Sequence, residues 1–196
     1  MRAVPDDVRR AIEVMAGLDG DWALCGGWSV DAWLGRQTRD HPDVDFAVFE
    51  EDQLALRDHF GTGWLLSGHD PDDENSTEPW NGRHLAIPAH VHCRADGYDL
   101  DVQLNRRADG DWVFCEQPRI VLPLARCITP SSWTSRTLAP EATLFYKATG
   151  EMRPRDAADF SSLLPVLDRQ QRGWLRDALR QLYPEHPWIP VLSATD

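Results

Sequence analysis

Several things are missing from this chain, and each absence narrows what it can be. No apolar run approaches membrane-spanning length and no secretory leader is read at the start, so a cytoplasmic protein is expected. The four cysteines, Cys25, Cys93, Cys115 and Cys127, stand far apart with no CxxC pair. That argues against a zinc ribbon and for reduced, mostly buried thiols. Positive charge is outnumbered: 20 Lys and Arg face 32 Asp and Glu, for a net charge of −12. Nucleic-acid binding relies on basic side chains neutralising phosphates, so this surface disfavours it and attracts a polycationic small molecule instead. Repeats are absent. Tryptophan, by contrast, is abundant, with nine in 196 residues. Most belong in a core, and any surplus at a cleft could stack on a base or sugar ring. At 42% hydrophobic residues the chain can build one substantial core or two small lobes.

The informative stretch is residues 22–49, WALCGGWSVDAWLGRQTRDHPDVDFAVF. It reads as a buried strand from Trp22 to Cys25, a Gly26-Gly27 turn, a helix opening near Trp28, an Arg-rich loop and a second strand. Residues two apart on a strand share a face. Asp43 and Asp45 therefore project together while Val44 and Phe46 turn inward. Paired carboxylates repel unless a cation lies between them, and Mg²⁺ takes oxygen ligands while leaving positions for substrate phosphates. Glycine amides at a helix N-terminus favour phosphate. Phosphate cradle and acid pair on one continuous unit predict nucleotide chemistry.

GGWSVDAWLG, then LGRQTRDH, then DVD resembles the signature of the nucleotidyltransferase fold, the DNA polymerase beta superfamily. Within it the stretch is most similar to the aminoglycoside 2''-adenylyltransferases and lincosamide nucleotidyltransferases. The resemblance implies an α+β fold, a mixed β-sheet flanked by helices over residues 1–134, followed by a small helical lobe over residues 135–196. It implies Mg²⁺-dependent transfer of a nucleoside monophosphate, AMP from ATP, to a hydroxyl of an aminoglycoside or lincosamide-type antibiotic. A homodimer, in which a second subunit completes the cleft, stays open.

Further along, Pro5–Leu18 has the apolar spacing of an amphipathic helix, and Glu51–Phe60 reads as another. Asp31 lies on the helix after the glycines, where it either orients the following loop or is solvated. His41 is read as fixing that loop. Asp70–Gly82 is an acidic loop, a disordered excursion or a flap over substrate. His84–Arg94 looks extended, with Pro88 marking an edge or a break. Its alternation places His84, His90 and His92 on one face, read as a solvent-facing strand surface with a metal-binding trio as the alternative. Tyr98–Leu104 alternates apolar residues with Asp99, Asp101 and Gln103. Asp109-Gly110 signals a hairpin, with Trp112–Cys115 returning as a strand. Leu138–Thr149 and Asp168–Tyr183 read as helices.

The resemblance assigns roles residue by residue. Asp43 and Asp45 would hold Mg²⁺. Asp101, with Asp99 as the alternative, would be the third carboxylate, completing the metal site or removing the acceptor proton. Gly26, Gly27 and Ser29 would hold phosphate oxygens. Arg39 would contact the nucleotide, or else pair with Asp40 or Asp43. Lys147 would reach the triphosphate from across the cleft, or else lie on the surface. Asp156 and Asp159 would pair with Arg153 or Arg155, the latter standing where the family pattern has lysine. Two other readings remain: a toxin-type nucleotidyltransferase acting on tRNA or protein, and a non-catalytic nucleotide-binding module.

Overall fold

The structure, a computed structural model, describes residues 3–73 and 78–194. Helix α1 (Asp6–Met15) lies within the predicted range, with Pro5 at its start and Asp6 and Asp7 in its first turn, where acids suit the helix dipole. Strand β1 (Trp22–Leu24) runs straight into α2 (Gly26–Leu34). The glycine pair therefore sits inside the first helical turn, not in a turn ahead of it. Then follow β2 (Val44–Phe49), a 3-10 turn at Glu50–Asp52, and α3 (Gln53–Phe60).

Strands β3 (Leu65–His69), β4 (Ala89–Ala95) and β5 (Tyr98–Ala108) come next. The extended run predicted from His84 begins only at Ala89, after Pro88, which has no N–H for a ladder. Asp109 and Gly110, at φ 53° and 87°, turn β5 into β6 (Asp111–Val113). Positive φ at both central residues is what a tight hairpin needs. Short pieces follow: β7 (Val121–Pro123), α4 (Leu124–Cys127), β8 (Ile128–Thr129) and β9 (Thr137–Leu138). Four helices end the described chain: α5 (Pro140–Ala148), α6 (Pro154–Leu163), α7 (Arg169–Leu182) and α8 (Trp188–Ser193). Asp168 accepts from Gln171 N at 2.8 Å, and Gln171 Oε1 from Asp168 N at 2.9 Å. This reciprocal box fixes where α7 starts.

Among the described residues the strands form one mixed sheet in the order β3-β4-β5-β2-β1-β9-β8, extended by β6 and β7 beyond the far end of β5. β2 and β5 run parallel, as do β1 and β9. Alternation along β1 divides the core: Trp22 and Leu24 join Val44, Phe46 and Val48 under α1 and α3. Ala23 and Cys25 face the opposite cluster, built around Trp112, Phe145 and the last helices. The second face is only partly covered, and the uncovered part is the cleft.

The acidic stretch 70–82 lies partly outside the described residues. Its described ends are fastened down. Asp70 is buried and accepts from Arg83 Nη1 at 2.6 Å, and Trp80 is buried with its amide bonded to Leu66 O at 2.7 Å.

Candidate active site

The sheet places the acids. Asp45 is the second residue of β2, and the parallel register sets it directly beside Asp101 of β5. Asp43 lies one residue ahead of β2, where its carbonyl accepts from Trp28 Nε1 at 3.0 Å. Burial first and Asp43 second push the Asp45 carboxyl up to about 6, against the pull of Lys147, His41 and the Gly27 amide. Burial, then Asp45, Asp43 and Asp99, push Asp101 up to about 7, opposed by a 2.9 Å hydrogen bond from Gln103 Nε2. Asp101 Oδ1 is buried with no hydrogen-bond partner among the described residues. Carboxylate oxygens with unbalanced negative charge suit a hard divalent cation, although among the described residues the trio whose ligand atoms gather within 4.8 Å is His90, His92 and Asp101, not the three acids. Asp99 is exposed and pairs with Arg94 at 3.4 Å, away from the register row of Asp45.

Why two glycines precede these acids is a matter of space. A Cβ at Gly26 would strike Asp45 Oδ2, and one at Gly27 would strike His41 Nδ1. Gly26 also adopts φ 62°, which few other residues tolerate. The loop between α2 and β2 is held by Asp31, which is fully buried. Its carboxylate accepts from the Thr38 amide at 3.0 Å and from the Thr38 hydroxyl, and faces His41 Nε2 at 2.8 Å. The His41 ring packs on Trp28 with centroids 4.2 Å apart. Asp31 thus orients the loop and His41 fixes it. Ser29 is different from its glycine neighbours. It is fully buried, its hydroxyl donating to Gly26 O at 2.9 Å and lying 3.1 Å from Thr143 Oγ1.

The facing wall comes from the helical segment. Lys147 on α5 is nearly buried, its Nζ 2.7 Å from Asp159 Oδ2 and 3.9 Å from Asp156 Oδ1. Arg39 Nη2 lies 3.5 Å from the same Asp159 oxygen. Asp159 therefore binds Lys147 and Arg39, and Asp156 pairs with Arg153 at 2.7 Å as expected. A cavity of about 550 Å³ opens between the walls, with Gly26, Gly27, Asp43 and Asp45 on one side and Lys147 and Arg155 on the other. A smaller depression of about 370 Å³ adjoins it across Asp43 and His41, bordered by Asp7 and Asp99.

No tryptophan lines either depression among the described residues; the aromatic rings on the cavity wall are Phe114 and Tyr146. The Tyr146 hydroxyl donates to Asn105 Oδ1 at 2.6 Å. Sequence reading missed Tyr146, Asn105 and Thr143, which carry no local motif and meet only in the fold. The histidine grouping also differs. His84 sits apart, 3.3 Å from Glu50 and 3.0 Å from Gln53. His69 takes its place, stacked on His90 with centroids 4.8 Å apart and 5.1 Å from His92. Burial first, then His92 and His69, hold His90 down at about 4. These rings lie half-buried on the sheet face that carries Asp101, not on a solvent-facing surface.

A mixed sheet with paired acids beside a glycine-led helix defines a nucleotidyltransferase fold, and comparison with solved structures agrees. The antibiotic-resistance factor ANT(2'')-Ia in solution matches at TM-score 0.61 and 19% identity, over 90% of this chain and 91% of that one. The lincosamide antibiotic adenylyltransferase LnuA, solved with lincomycin bound, matches at 0.59 and 17%, over 85% and 100%. The crystal structure of ANT(2'')-Ia with adenylyl-2''-tobramycin matches at 0.51 and 19%, over 95% and 92%. At such identities these likenesses speak for the fold. The narrower assignment comes from a family model, aminoglycoside-2''-adenylyltransferase, which matches residues 7–163. The chain belongs to that family and is a nucleotidyltransferase. No curated protein sequence matches it.

Proposed function

We propose that this chain transfers AMP from ATP to a hydroxyl of a cationic antibiotic, an aminoglycoside first and a lincosamide second. One observation carries the reading. Cations (Arg39, Lys147, Arg155) border the cavity on one side of the acid pair, and acids (Asp7, Asp99) border the adjoining depression on the other. A triphosphate suits the first, a polyamine the second. The solved relatives support it, one holding lincomycin and another an adenylylated tobramycin.

Asp43, Asp45 and Asp101 would hold Mg²⁺, which when bound offsets the charge of the triphosphate oxygens. In the other role open to it, Asp101 would take the acceptor hydroxyl's proton, as the carboxylate beside Asp45 that keeps an oxygen without a hydrogen-bond partner among the described residues. Gly26 and Gly27 let the phosphates approach closely, and Ser29 contributes indirectly by holding the Gly26 carbonyl. Arg39 and Lys147 counter charge on the departing pyrophosphate. Residues 1–134 would carry the acids and residues 135–196 the facing lysine. We place the protein in the cytoplasm, where ATP is plentiful; no helix among the described residues is long and apolar enough to cross a membrane.

The test is a matrix of nucleoside triphosphates against antibiotic acceptors, read by pyrophosphate release and acceptor mass. Adenylylated aminoglycoside is expected from wild type, and none from Asp43→Asn, whose circular dichroism and melting temperature stay near wild type. Transfer to RNA alone, or undiminished turnover by Asp43→Asn, overturns the reading.

A further inference from the structure

Beside the acid group, and sharing Asp101 with it, lies a cluster of histidines to which the proposed transfer reaction gives no role. β3, β4 and β5 are adjacent antiparallel strands, and their register sets His92 opposite Asp101, His90 opposite Gln103 and His69 opposite His90. Successive residues alternate faces, so His90, His92 and Asp101 all project onto the cleft face of the sheet. A ring nitrogen from each histidine and a carboxylate oxygen of Asp101 lie within 4.8 Å of one another. His92 Nε2 is 3.6 Å from Asp101 Oδ1, too long for a hydrogen bond, and that oxygen is otherwise unpartnered among the described residues. Half-buried imidazoles gathered around a carboxylate they do not hydrogen-bond are an arrangement in search of a shared partner.

We propose that His90, His92 and Asp101 form a binding site for a transition-metal dication of the Zn²⁺ class. Two nitrogens and one oxygen suit a borderline ion better than Mg²⁺, whose preference is oxygen alone. Zinc bonds of about 2.0–2.2 Å put tetrahedral ligands roughly 3.4 Å apart, leaving a fourth position open. The three atoms must draw in by about an ångström, a displacement that rotation of half-buried side chains supplies. His69, stacked on His90, limits the rotation of that ring by packing against it. Because the site shares Asp101 with the proposed catalytic group, its occupation removes that carboxylate from the reaction and makes the enzyme zinc-sensitive. That last consequence rests on the proposed role of Asp101; the binding does not.

The experiment uses metal-stripped, untagged protein in excess Mg²⁺, titrated with Co²⁺ and followed by its visible absorption, then with Zn²⁺ in competition. Wild type is expected to bind one equivalent and to release it to Zn²⁺. His90→Ala and His92→Ala each weaken binding at least tenfold, and His69→Ala weakens it less. Asp43→Asn, which lacks transfer activity, keeps the cobalt spectrum, so failure of this site is separable from failure of the catalytic reading. No cobalt spectrum in wild type overturns the inference. So does binding indifferent to both histidine ligands, lost on Asp43→Asn, or lost on alkylation of Cys115.

Discussion

Asp101 carries a charge that the protein itself does little to balance. An unfolded aspartate titrates near 3.8, whereas Asp45 and Asp101 titrate near 6 and 7 in the fold. Between those values the native state holds more protons than the unfolded one, so these groups cost stability as pH rises through about 4 to 8. Asp101→Asn is therefore expected to stabilise the metal-free protein at pH 8 by up to about 4 kcal/mol, less the lost hydrogen bond from Gln103, read from urea melts. The gain should vanish near pH 4, where both carboxyls are protonated. A variant less stable than wild type at pH 8 would count against an unbalanced charge. The pairing of Asp43 with Asp45 was legible in the sequence because period two is a local rule. The choice between Asp99 and Asp101 was not, since both point the same way. Only the register of β5 against β2 separates them, and register between strands more than fifty residues apart leaves no local trace.

At the scale of elements, α2 and the loop behind it behave as one piece because Asp31 reaches from the helix to Thr38 and His41. Asp31→Ala leaves the Thr38 amide and the His41 ring without their acceptor. The expected cost is about 1–3 kcal/mol of stability, with transfer falling about 100-fold as Asp43 drifts. Melting and steady-state rates on the same preparation check both. Equal losses of activity and folded fraction would mean that the loop has no positioning role. Sequence patterning located α1, α2, α5 and α7 because each has a readable apolar face or an N-terminal signal. It placed His84 in the wrong company because β4 begins only at Ala89, beyond Pro88, and it missed His69 because β3 is a five-residue strand whose pairing with β4 is nonlocal. The short pieces β7, α4, β8, β9 and α8 also escaped it, being two to six residues long and held by packing.

For the whole molecule, the net charge of −12 includes Asp7 and Asp99 at the depression where the acceptor is proposed to enter. The Michaelis constant for an aminoglycoside is expected to rise several-fold between low and physiological salt, through screening of this attraction. A neutral hydroxyl acceptor should show no such rise; parallel behaviour would remove the steering argument. The opposite wall has its own consequence. Asp159 sits against both Lys147 and Arg39, the two cations proposed above to meet the triphosphate. On that proposal a ligand would have to compete with the Asp159 carboxylate for both cations, which a triphosphate would do better than inorganic phosphate. Asp159→Asn should make the protein about tenfold more susceptible to phosphate inhibition, and that lost discrimination is the mark of a guarded entrance.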